Sequence, residues 1–578
     1  MANHSYIYHY AHGFRFLPLS GLVIVGALCG GFVLALSALL QAAAPLDAPQ
    51  SFYELLTSDA RIGYALQSAL FQAALSTIGS VMVAVPLSVV MARRYHWFGM
   101  TFLRLMTGLA FVIPTTVAAS GLLAVWGRQG VINSILMAIS DMTPLPLLEL
   151  PSFFGLKAVV LAHIFFNAPL MIRIFLPRIL SVPENHWRLA RMTGMTPRDQ
   201  FRYIEWPAIR AMIIPMMVLV FLFCFSSFSL VLMLGGGPAV TTLEVEIYAA
   251  IRIAYDFHLA VLLTMMQIAV AVIMLLIMLC HPLMRQTMPQ AVTSIKPSSI
   301  HILSSRSNLL KILDIICVLF LFSLLILPIL ALFFKGLTGD LFIVLAEPVF
   351  WQALQNSLTI ALTTACCVSF LAMMLAETRY QLGLINSPTR WQIVARLLLE
   401  SSVMITLVIP SIVMGTAMFI LLRSYADIFA IAPYLVLTAN ILMGLPVSYR
   451  LISGKWVLAR QQDQHLRLAY GMNRRTSLRF LIMPVMGRDI GLIFGMVAAM
   501  SMGDLGVIAL FSSSDFKTLP WLLYEQAGRY RTDEASATAV LLMGVTIMVF
   551  ILGSLTGRLL SRAPSMAATH VIAHHKAG

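Results

Sequence analysis

The chain has 578 residues, of which 60% are hydrophobic and only 11% are charged, and its mean hydropathy is +0.89. Soluble domains carry about 25% charged residues, so this composition excludes a soluble globular protein and predicts an all-α integral membrane protein. The formal net charge of +14 does not indicate nucleic-acid binding, because the positive residues concentrate in alternate loops, as membrane-orientation signals do.

Apolar runs predict about twelve transmembrane helices, six in each half of the chain. In the first half, the predicted spans are 17–42, 64–92, 103–127, 156–176, 211–235 and 259–280. In the second half, they are 312–334, 351–376, 398–422, 431–449, 489–511 and 536–557. The predicted organisation is a first six-helix half at 1–280, a cytoplasmic linker at 281–308, a second six-helix half at 309–560 and a cytoplasmic tail at 561–578.

Arginine and lysine concentrate on one side of the predicted membrane, most densely in the loops 177–210 and 450–488. This bias assigns both basic loops and both termini to the cytoplasm. The opposite loops carry acidic residues and fewer cations. We expect four of these acidic residues to be solvated or to contact a binding protein: Glu244, Glu246, Asp515 and Glu525.

The two basic loops share one sequence frame, and the copies lie 277 positions apart. In each copy a glycine is followed 13 residues later by a proline, with an aliphatic residue three positions before that proline. Glycine permits a tight turn between two short helices, and proline is accepted in the first turn of the next span. The residues are Gly194, Ile204 and Pro207 in the first loop, and Gly471, Leu481 and Pro484 in the second. A frame repeated in register favours a docking surface over a generic basic loop.

The duplication extends beyond these loops. The sequence Val-Ile-Pro at 112–114 recurs at 408–410, in the third predicted span of each half. Pro169 and Pro446 are also 277 positions apart, at matching places in the fourth span. Since both halves have six spans and the same orientation, they are parallel repeats related by an axis along the membrane normal.

The glycine-to-proline frame resembles the EAA loop of binding-protein-dependent ABC importer permeases. In that family, the loops form coupling helices that sit in clefts of the ATP-binding subunits. The usual Glu-Ala-Ala opening is degenerate here, because Arg-Leu-Ala at 188–190 and His-Leu-Arg at 465–467 replace it. The resemblance implies nine coupling residues: Arg188, Ala190, Gly194, Ile204, Pro207, His465, Gly471, Leu481 and Pro484.

Longer motifs narrow this resemblance to the thiamine and ferric-iron branch of fused permeases. Within that branch, the thiamine permeases are the more similar. The motifs include AHIFFNAP at 162–169, FRYIEWP at 201–207 and SMGDLGVIALF at 501–511. The resemblance implies a type I ABC importer permease that moves thiamine or its phosphate esters across the bacterial inner membrane. It also implies two copies of a cytoplasmic ATP-binding subunit, which uses the ATP, and a periplasmic thiamine-binding protein. No cofactor is expected on this chain.

Asp504 is a carboxylate inside the predicted span 489–511. An intramembrane carboxylate is costly and usually faces a cavity or a partner. The alternatives are a helix cap and an ion pair with an arginine inside the bundle. A thiazolium cation would be attracted both to a carboxylate and to aromatic faces, so the candidate translocation path is Asp504, Phe228, Tyr248 and Tyr524.

Missing motifs limit the remaining functions. The chain has no G-x-x-x-x-G-K-[S/T] loop, so ATP hydrolysis by the P-loop route must belong to a partner. It has no paired-cysteine, H-E-x-x-H or G-x-S-x-G motif, and we expect neither a metal nor enzyme activity. Two alternatives stay open: a permease for ferric iron or another small solute, and a secondary transporter driven by protons or sodium. For a further alternative, a membrane enzyme or structural scaffold, the sequence shows no set of catalytic residues.

Overall fold

The computed structural model describes residues 17–43, 60–110, 112–142, 152–237, 240–280, 308–383, 389–470 and 472–562. Most of the predicted linker, Gly471 and the tail after Arg562 therefore lie outside the described residues. Within these ranges all the regular elements are helices, which confirms the all-α prediction.

The first half of the chain contains twelve α-helices in the described residues. They are α1 (Leu17–Ala43), α2 (Ala60–Arg93), α3 (Met100–Leu109), α4 (Thr115–Trp126), α5 (Val131–Met142), α6 (Leu156–Leu180), α7 (Glu184–Met192), α8 (Pro197–Gln200), α9 (Trp206–Phe225), α10 (Phe228–Leu234), α11 (Leu243–Ala249) and α12 (Phe257–Cys280). Two π-helical turns interrupt this series, at Phe201–Glu205 and Ala250–Ala254.

The second half repeats much of this order. Its α-helices are α13 (Asn308–Thr338), α14 (Leu341–Ala346), α15 (Pro348–Gly383), α16 (Arg390–Val408), α17 (Ser411–Leu422), α18 (Ala432–Tyr470), α19 (Arg474–Ser477), α20 (Met483–Met502), α21 (Gly506–Phe511), α22 (Leu519–Gly528) and α23 (Thr532–Arg562). A π-helical turn at Leu478–Ile482 precedes α20.

Eleven helical segments in the described residues are long and apolar enough to cross a membrane, and α17 is a shorter apolar helix. This agrees with the prediction of about twelve spans. The third predicted span of each half is not continuous, however. Pro114 separates α3 from α4 and Pro410 separates α16 from α17. Proline disfavours helical geometry in the residue before it, and the uniform apolarity of 103–127 and 398–422 concealed both breaks.

The fifth predicted span of each half is also broken. In 211–235, α9 ends at Phe225 and a separate short helix, α10, begins at Phe228. In 489–511, α20 ends at Met502 and α21 begins at Gly506. Serines and glycines at these breaks favour non-helical backbone, and helix ends at such places leave polar backbone groups that side chains must satisfy.

The chain forms two compact units, which differ in membership from the sequence halves. The first unit contains Pro45–Glu347 and Leu523–Leu541, and the second contains Met1–Ala44, Pro348–Leu522 and Leu542–Gly578. In the first unit, α13 packs against α2, α3 and α4; in the second, α1 packs against α15, α16 and α17. Each unit therefore includes the first helix of the other sequence half. The division by sequence repeat stays a prediction.

Candidate functional site

Helix α7 gives the first basic loop an exposed face that is both apolar and basic. Its inner side buries Trp187 and Ala190. Leu189 and Met192, three residues apart on the helix, are 55% and 86% exposed, and Arg188 is exposed as well. Large apolar side chains that stand in solvent beside arginine are typical of a surface that binds another protein.

A left-handed glycine turns the chain between α7 and α8. Gly194 has a φ of 65°, a conformation that L-residues with a Cβ rarely adopt. Two residues later, Thr196 and Asp199 form a reciprocal capping box, in which each side chain accepts the backbone N–H of the other. This box fixes the start of α8. The described backbone thus has the glycine turn between two short helices that the sequence predicts.

A π-helical turn precedes the proline in both copies of the loop. The turns are Phe201–Glu205 and Leu478–Ile482, again 277 positions apart, and each leads into a helix of 20 residues. Proline has no N–H, and its ring clashes with the carbonyl four residues back. A wider turn, closed by a bond from the Trp206 N–H to the Phe201 carbonyl in the first copy, accommodates the ring. The duplication therefore extends to the backbone.

A buried ion pair joins the first loop to the second membrane helix. Arg93, the last residue of α2, donates from Nε to Oε1 of Glu205 at 2.8 Å and from Nη2 to Oε2 at 2.7 Å. Nη2 also donates to the carbonyl of Pro197 at 3.1 Å. Glu205 is fully buried, so loss of either partner would leave an unpaired buried charge. The pair connects the loop mechanically to α2.

The second loop is anchored by a buried pair of opposite polarity. Arg460 of α18 donates from Nε to Oε2 of Glu377 at 2.9 Å and from Nη2 to Oε1 at 2.8 Å. Trp456 donates from Nε1 to the same carboxylate at 2.9 Å. Helix α18 runs unbroken for 39 residues, because Arg460 stands where the first copy has Pro183, which ends a helix. The two loops are therefore joined to their second helices by different contacts.

The predicted coupling residues differ in exposure. Three in the first loop are exposed: Arg188, Gly194 and Pro207. Two are buried: Ala190 and Ile204. Two in the second loop are half-buried: Leu481 and Pro484. Gly471 and the side chain of His465 lie outside what the structure describes, and the coupling role of all nine stays a prediction.

Asp504 lies in the break between α20 and α21, not within a continuous span as the sequence suggested. Its Oδ1 accepts the backbone N–H of Gly506, the first residue of α21, at 3.1 Å. A carboxylate at this position caps the short helix. Oδ2 has no hydrogen-bond partner among the described residues. The helix-cap alternative thus accounts for one oxygen of the carboxylate and leaves the other without a hydrogen-bond partner among the described residues.

The three aromatic candidates belong to the first compact unit. The rings of Phe228 and Tyr248 meet edge to face, with centroids 5.6 Å apart. Tyr524 packs against an apolar cluster built by α4, α6 and α10. The structure therefore brings Phe228 and Tyr248 into direct contact, and Asp504 belongs to the second unit. Their role in a substrate path stays a prediction.

Glu244 is buried, which corrects its predicted placement in a solvated or partner-facing position. It is 1% exposed, and its Oε1 accepts a hydrogen bond from Nε2 of Gln267 at 3.2 Å. The physical reason is that the segment after the broken fifth span folds back into the unit as α11 instead of forming an external loop. The other acidic residues predicted to be solvated are at least partly exposed: Glu246, Asp515 and Glu525.

Sequence reasoning missed the two ion pairs that anchor the basic loops. Their partners lie 112 and 83 positions apart, and local hydrophobic periodicity carries no information about such distant contacts. Glu205 offers one usable signal, because it lies between two large apolar residues, Ile204 and Trp206, and a carboxylate buried with them requires a cation nearby.

About twelve apolar helical segments and a basic loop with the same frame in each half define a membrane permease of binding-protein-dependent transport systems. Residues 84–293 match the family described as binding-protein-dependent transport system inner membrane component. The chain belongs to the family of thiamine transport system permease proteins. Thiamine transport system permease protein ThiP of Brucella abortus is 34% identical over 93% of this chain and 94% of its own length. The proteins of the same name from Escherichia coli K12 and Haemophilus influenzae are 31% and 28% identical, over 93% and 82% of this chain and 98% and 84% of their own lengths.

Proposed function

We propose that this chain is the membrane-spanning permease subunit of an ATP-driven importer that moves thiamine or its phosphate esters across the bacterial inner membrane. The observation that carries the proposal is the similarity to thiamine permeases over 93% of the chain. The repeated loop, with the same π-helical turn in both copies, supports an ATP-coupled mechanism, since the chain itself lacks a P-loop.

The two basic loops dock on two copies of a cytoplasmic ATP-binding subunit. The exposed pair Leu189 and Met192, with Arg188 beside it, supports this assignment for the first loop. The Lys/Arg bias supports a cytoplasmic position for the loops and for both termini. A periplasmic thiamine-binding protein delivers substrate on the opposite side, and the remaining apolar surface contacts lipid.

Transport proceeds by alternating access. Closure of the ATPase dimer displaces the docked loops, and the buried pairs Arg93–Glu205 and Arg460–Glu377 pass the displacement to α2 and α15. The permease opens outward, the binding protein releases substrate, and ATP hydrolysis returns the permease to the inward-open state.

Uptake of radiolabelled thiamine into proteoliposomes tests the proposal. The vesicles contain the complex of this chain with its ATP-binding subunit, and the binding protein is added outside. We expect thiamine uptake to require ATP. Thiamine monophosphate or diphosphate should compete with thiamine for uptake. A complex whose ATPase subunit carries a P-loop lysine substitution is the matched control. No ATP-dependent uptake of thiamine or its phosphates would contradict the substrate assignment.

The same vesicles separate the alternatives. ATP-dependent uptake of ferric iron in place of thiamine would assign the chain to the ferric-iron branch. Uptake driven by a proton or sodium gradient in vesicles without the ATPase subunit would identify a secondary transporter.

A further inference from the structure

Buried oxygen atoms without hydrogen-bond donors gather around the end of α9. They are Oε1 of Gln72, Oε2 of Glu244 and Oε1 of Gln267, and none has a partner among the described residues. The three side chains are at most 1% exposed. Since buried polar atoms are nearly always paired, three unpaired acceptors in one region indicate a missing donor.

The two glutamines are fixed by their amide nitrogens. Nε2 of Gln72 donates to the carbonyl of Cys224 at 2.7 Å, and Nε2 of Gln267 donates to the carbonyl of Phe225 at 3.5 Å. These are the last two residues of α9, so both amides satisfy the carbonyls that a helix end leaves free. Gln267 has both N–H groups engaged, on Phe225 and on Glu244, so its oxygen is left for another group. Gln72 has its oxygen and one further N–H left.

Glu244 adds to these acceptors a carboxyl group, which carries a negative charge when it is ionised. Its carboxylate accepts from Gln267 and faces the backbone N–H of Phe228, but among the described residues no lysine or arginine pairs with it. A buried carboxylate without a cation is unfavourable. Two amide oxygens that accept hydrogen bonds, beside one such carboxylate, are suited to a cation that carries N–H groups.

We propose that Glu244, Gln72 and Gln267 form a recognition site for an organic cation with N–H donors. Resting on the proposed function, the ligand is thiamine, whose thiazolium carries the charge and whose aminopyrimidine carries the donors. The edge-to-face pair Phe228 and Tyr248 lies directly beside Glu244, because Phe228 contacts its carboxylate and Tyr248 is one helical turn further along α11. Aromatic rings in that position add cation–π attraction.

The backbone around the site is segmented, which gives the ligand a way in. Helix α10 is separated from α9 by Ser226 and Ser227, neither of which has helical dihedral angles. Helix α11 begins after the extended residue Thr242 and continues into the π-helical turn, and this segment ends at Tyr255, which has a φ of 55°. Short helices with breaks on both sides can shift as pieces, whereas a continuous span cannot. The site is covered in this structure and is exposed when α10 and α11 move.

A purely structural role for Glu244, as the cap of α10, makes a different prediction. Glutamine at this position keeps a side-chain oxygen that accepts the N–H of Phe228 and a similar volume, so Glu244→Gln would preserve a cap. The same substitution removes the charge that attracts a cation. This variant therefore separates the two roles.

The test uses the complete reconstituted complex with thiamine as substrate, and measures KM and the maximal rate of uptake together with ATPase activity. We expect Glu244→Gln to raise the KM about 10- to 100-fold, as loss of a charged hydrogen bond does. Glu244→Asp, which keeps the charge, should recover part of that loss. Asp256→Asn is the matched control and should leave the KM unchanged, because Asp256 is exposed and asparagine keeps the oxygen that accepts the Leu259 N–H.

A second variant places a cation inside the site. Gln267→Lys puts an ammonium beside Glu244 in the position of the present hydrogen bond. The internal ion pair should maintain or raise the melting temperature of the complex and abolish thiamine uptake. This variant covers the case in which Glu244→Gln fails to assemble.

Uptake by the wild-type complex distinguishes failure of this inference from failure of the proposed function. If the wild-type complex does not take up thiamine, the proposed function fails. If it does, but Glu244→Gln keeps a KM within about twofold of wild type or Gln267→Lys still transports, only the recognition site is overturned.

Discussion

Gly194 shows how one backbone conformation can determine the geometry of the proposed docking loop. Its φ of 65° lies in the left-handed region, and no atom beyond Gly194 and its two chain neighbours lies within 4 Å of the place where a Cβ would stand. A side chain here meets no steric clash with neighbours, so the whole cost is backbone strain, about 1–2 kcal/mol. That strain acts on the turn that sets α7 against α8.

Gly194→Val should uncouple ATP hydrolysis from transport. Strain of this size lowers the population of the native turn roughly 5- to 30-fold relative to relaxed alternatives, so fewer loops have the geometry needed to dock. We expect thiamine uptake per ATP hydrolysed to fall while the permease still assembles. The measurement is the ratio of uptake to phosphate release in proteoliposomes.

Gly99 provides the matched control for this substitution. It has a φ of 79°, also with open space around the Cβ position, but lies before α3 and outside both basic loops. Gly99→Val therefore introduces the same kind of strain at a different place. An equal loss of coupling in both variants would contradict the docking role of the first loop.

The acidic residues show which individual positions the sequence could predict. Asp504 was identified as unusual because a carboxylate stood in an apolar run, and the structure does give it one unfilled oxygen. Glu244 follows a polar segment and looked like part of a loop, yet it is 1% exposed. Hydropathy places a residue along the chain, but whether a segment folds back into a core depends on contacts with distant helices.

At the level of helices, one π-helical turn accounts for one change in the sequence offset between the two repeats. Tyr248 and Tyr524 are 276 positions apart, whereas Tyr255 and Tyr530 are 275 apart. Both Tyr255 and Tyr530 end their helices with positive φ, at 55° and 60°, so they are structurally equivalent. The first copy has one additional residue between its tyrosines, and the π-helical turn at Ala250–Ala254 absorbs it. The change in register here therefore lies inside a helix.

Glycines set the packing of α20 against α23. A Cβ on Gly491 would lie 2.4 Å from Cα of Gly557 and 2.5 Å from the carbonyl oxygen of Gly553. Backbone atoms cannot yield as a flexible side chain would. Small residues at such a crossing allow close helix approach within a membrane protein.

Gly491→Ala should therefore destabilise the permease by about 1–3 kcal/mol, the usual effect of overpacking. The expected result is a lower melting temperature of the purified protein in detergent. Gly544→Ala is the control, since Gly544 lies on α23 and has nothing within 4 Å of its Cβ position. Equal melting temperatures for the two variants would show that the crossing is not tightly packed.

The existence of the helices was predictable because apolar length alone identifies a span. Their interruptions were not. Apolar residues continue on both sides of Pro114, Pro410 and Ser226. The mean hydropathy of such a stretch is the same whether it forms one helix or two. The repeated Val-Ile-Pro sequence did mark the place of two breaks, and proline supplies the physical reason.

At the scale of the whole molecule, the compact units do not coincide with stretches of sequence. The first unit obtains α13 and Leu523–Leu541 from the second half of the chain, and the second unit obtains α1 from the first half. In the first unit, Gln526 and Thr538 join α22 to α23 through a 2.7 Å hydrogen bond. Neither half of the sequence contains all of the helices that complete one unit.

Cutting the chain within 281–307 should therefore give fragments that survive only together. A fragment ending there lacks α13, whose packing against α2 and α4 buries apolar surface of the first unit. We expect each fragment expressed alone to be degraded, and the two expressed together to co-purify and transport thiamine. Pulse-chase half-lives and co-purification measure this.

A second cut at 339–340, after α13, leaves that helix with the first fragment, which should lengthen the half-life of that fragment relative to the first cut. Equal half-lives for the two first fragments would contradict a stabilising role for α13 in the first unit.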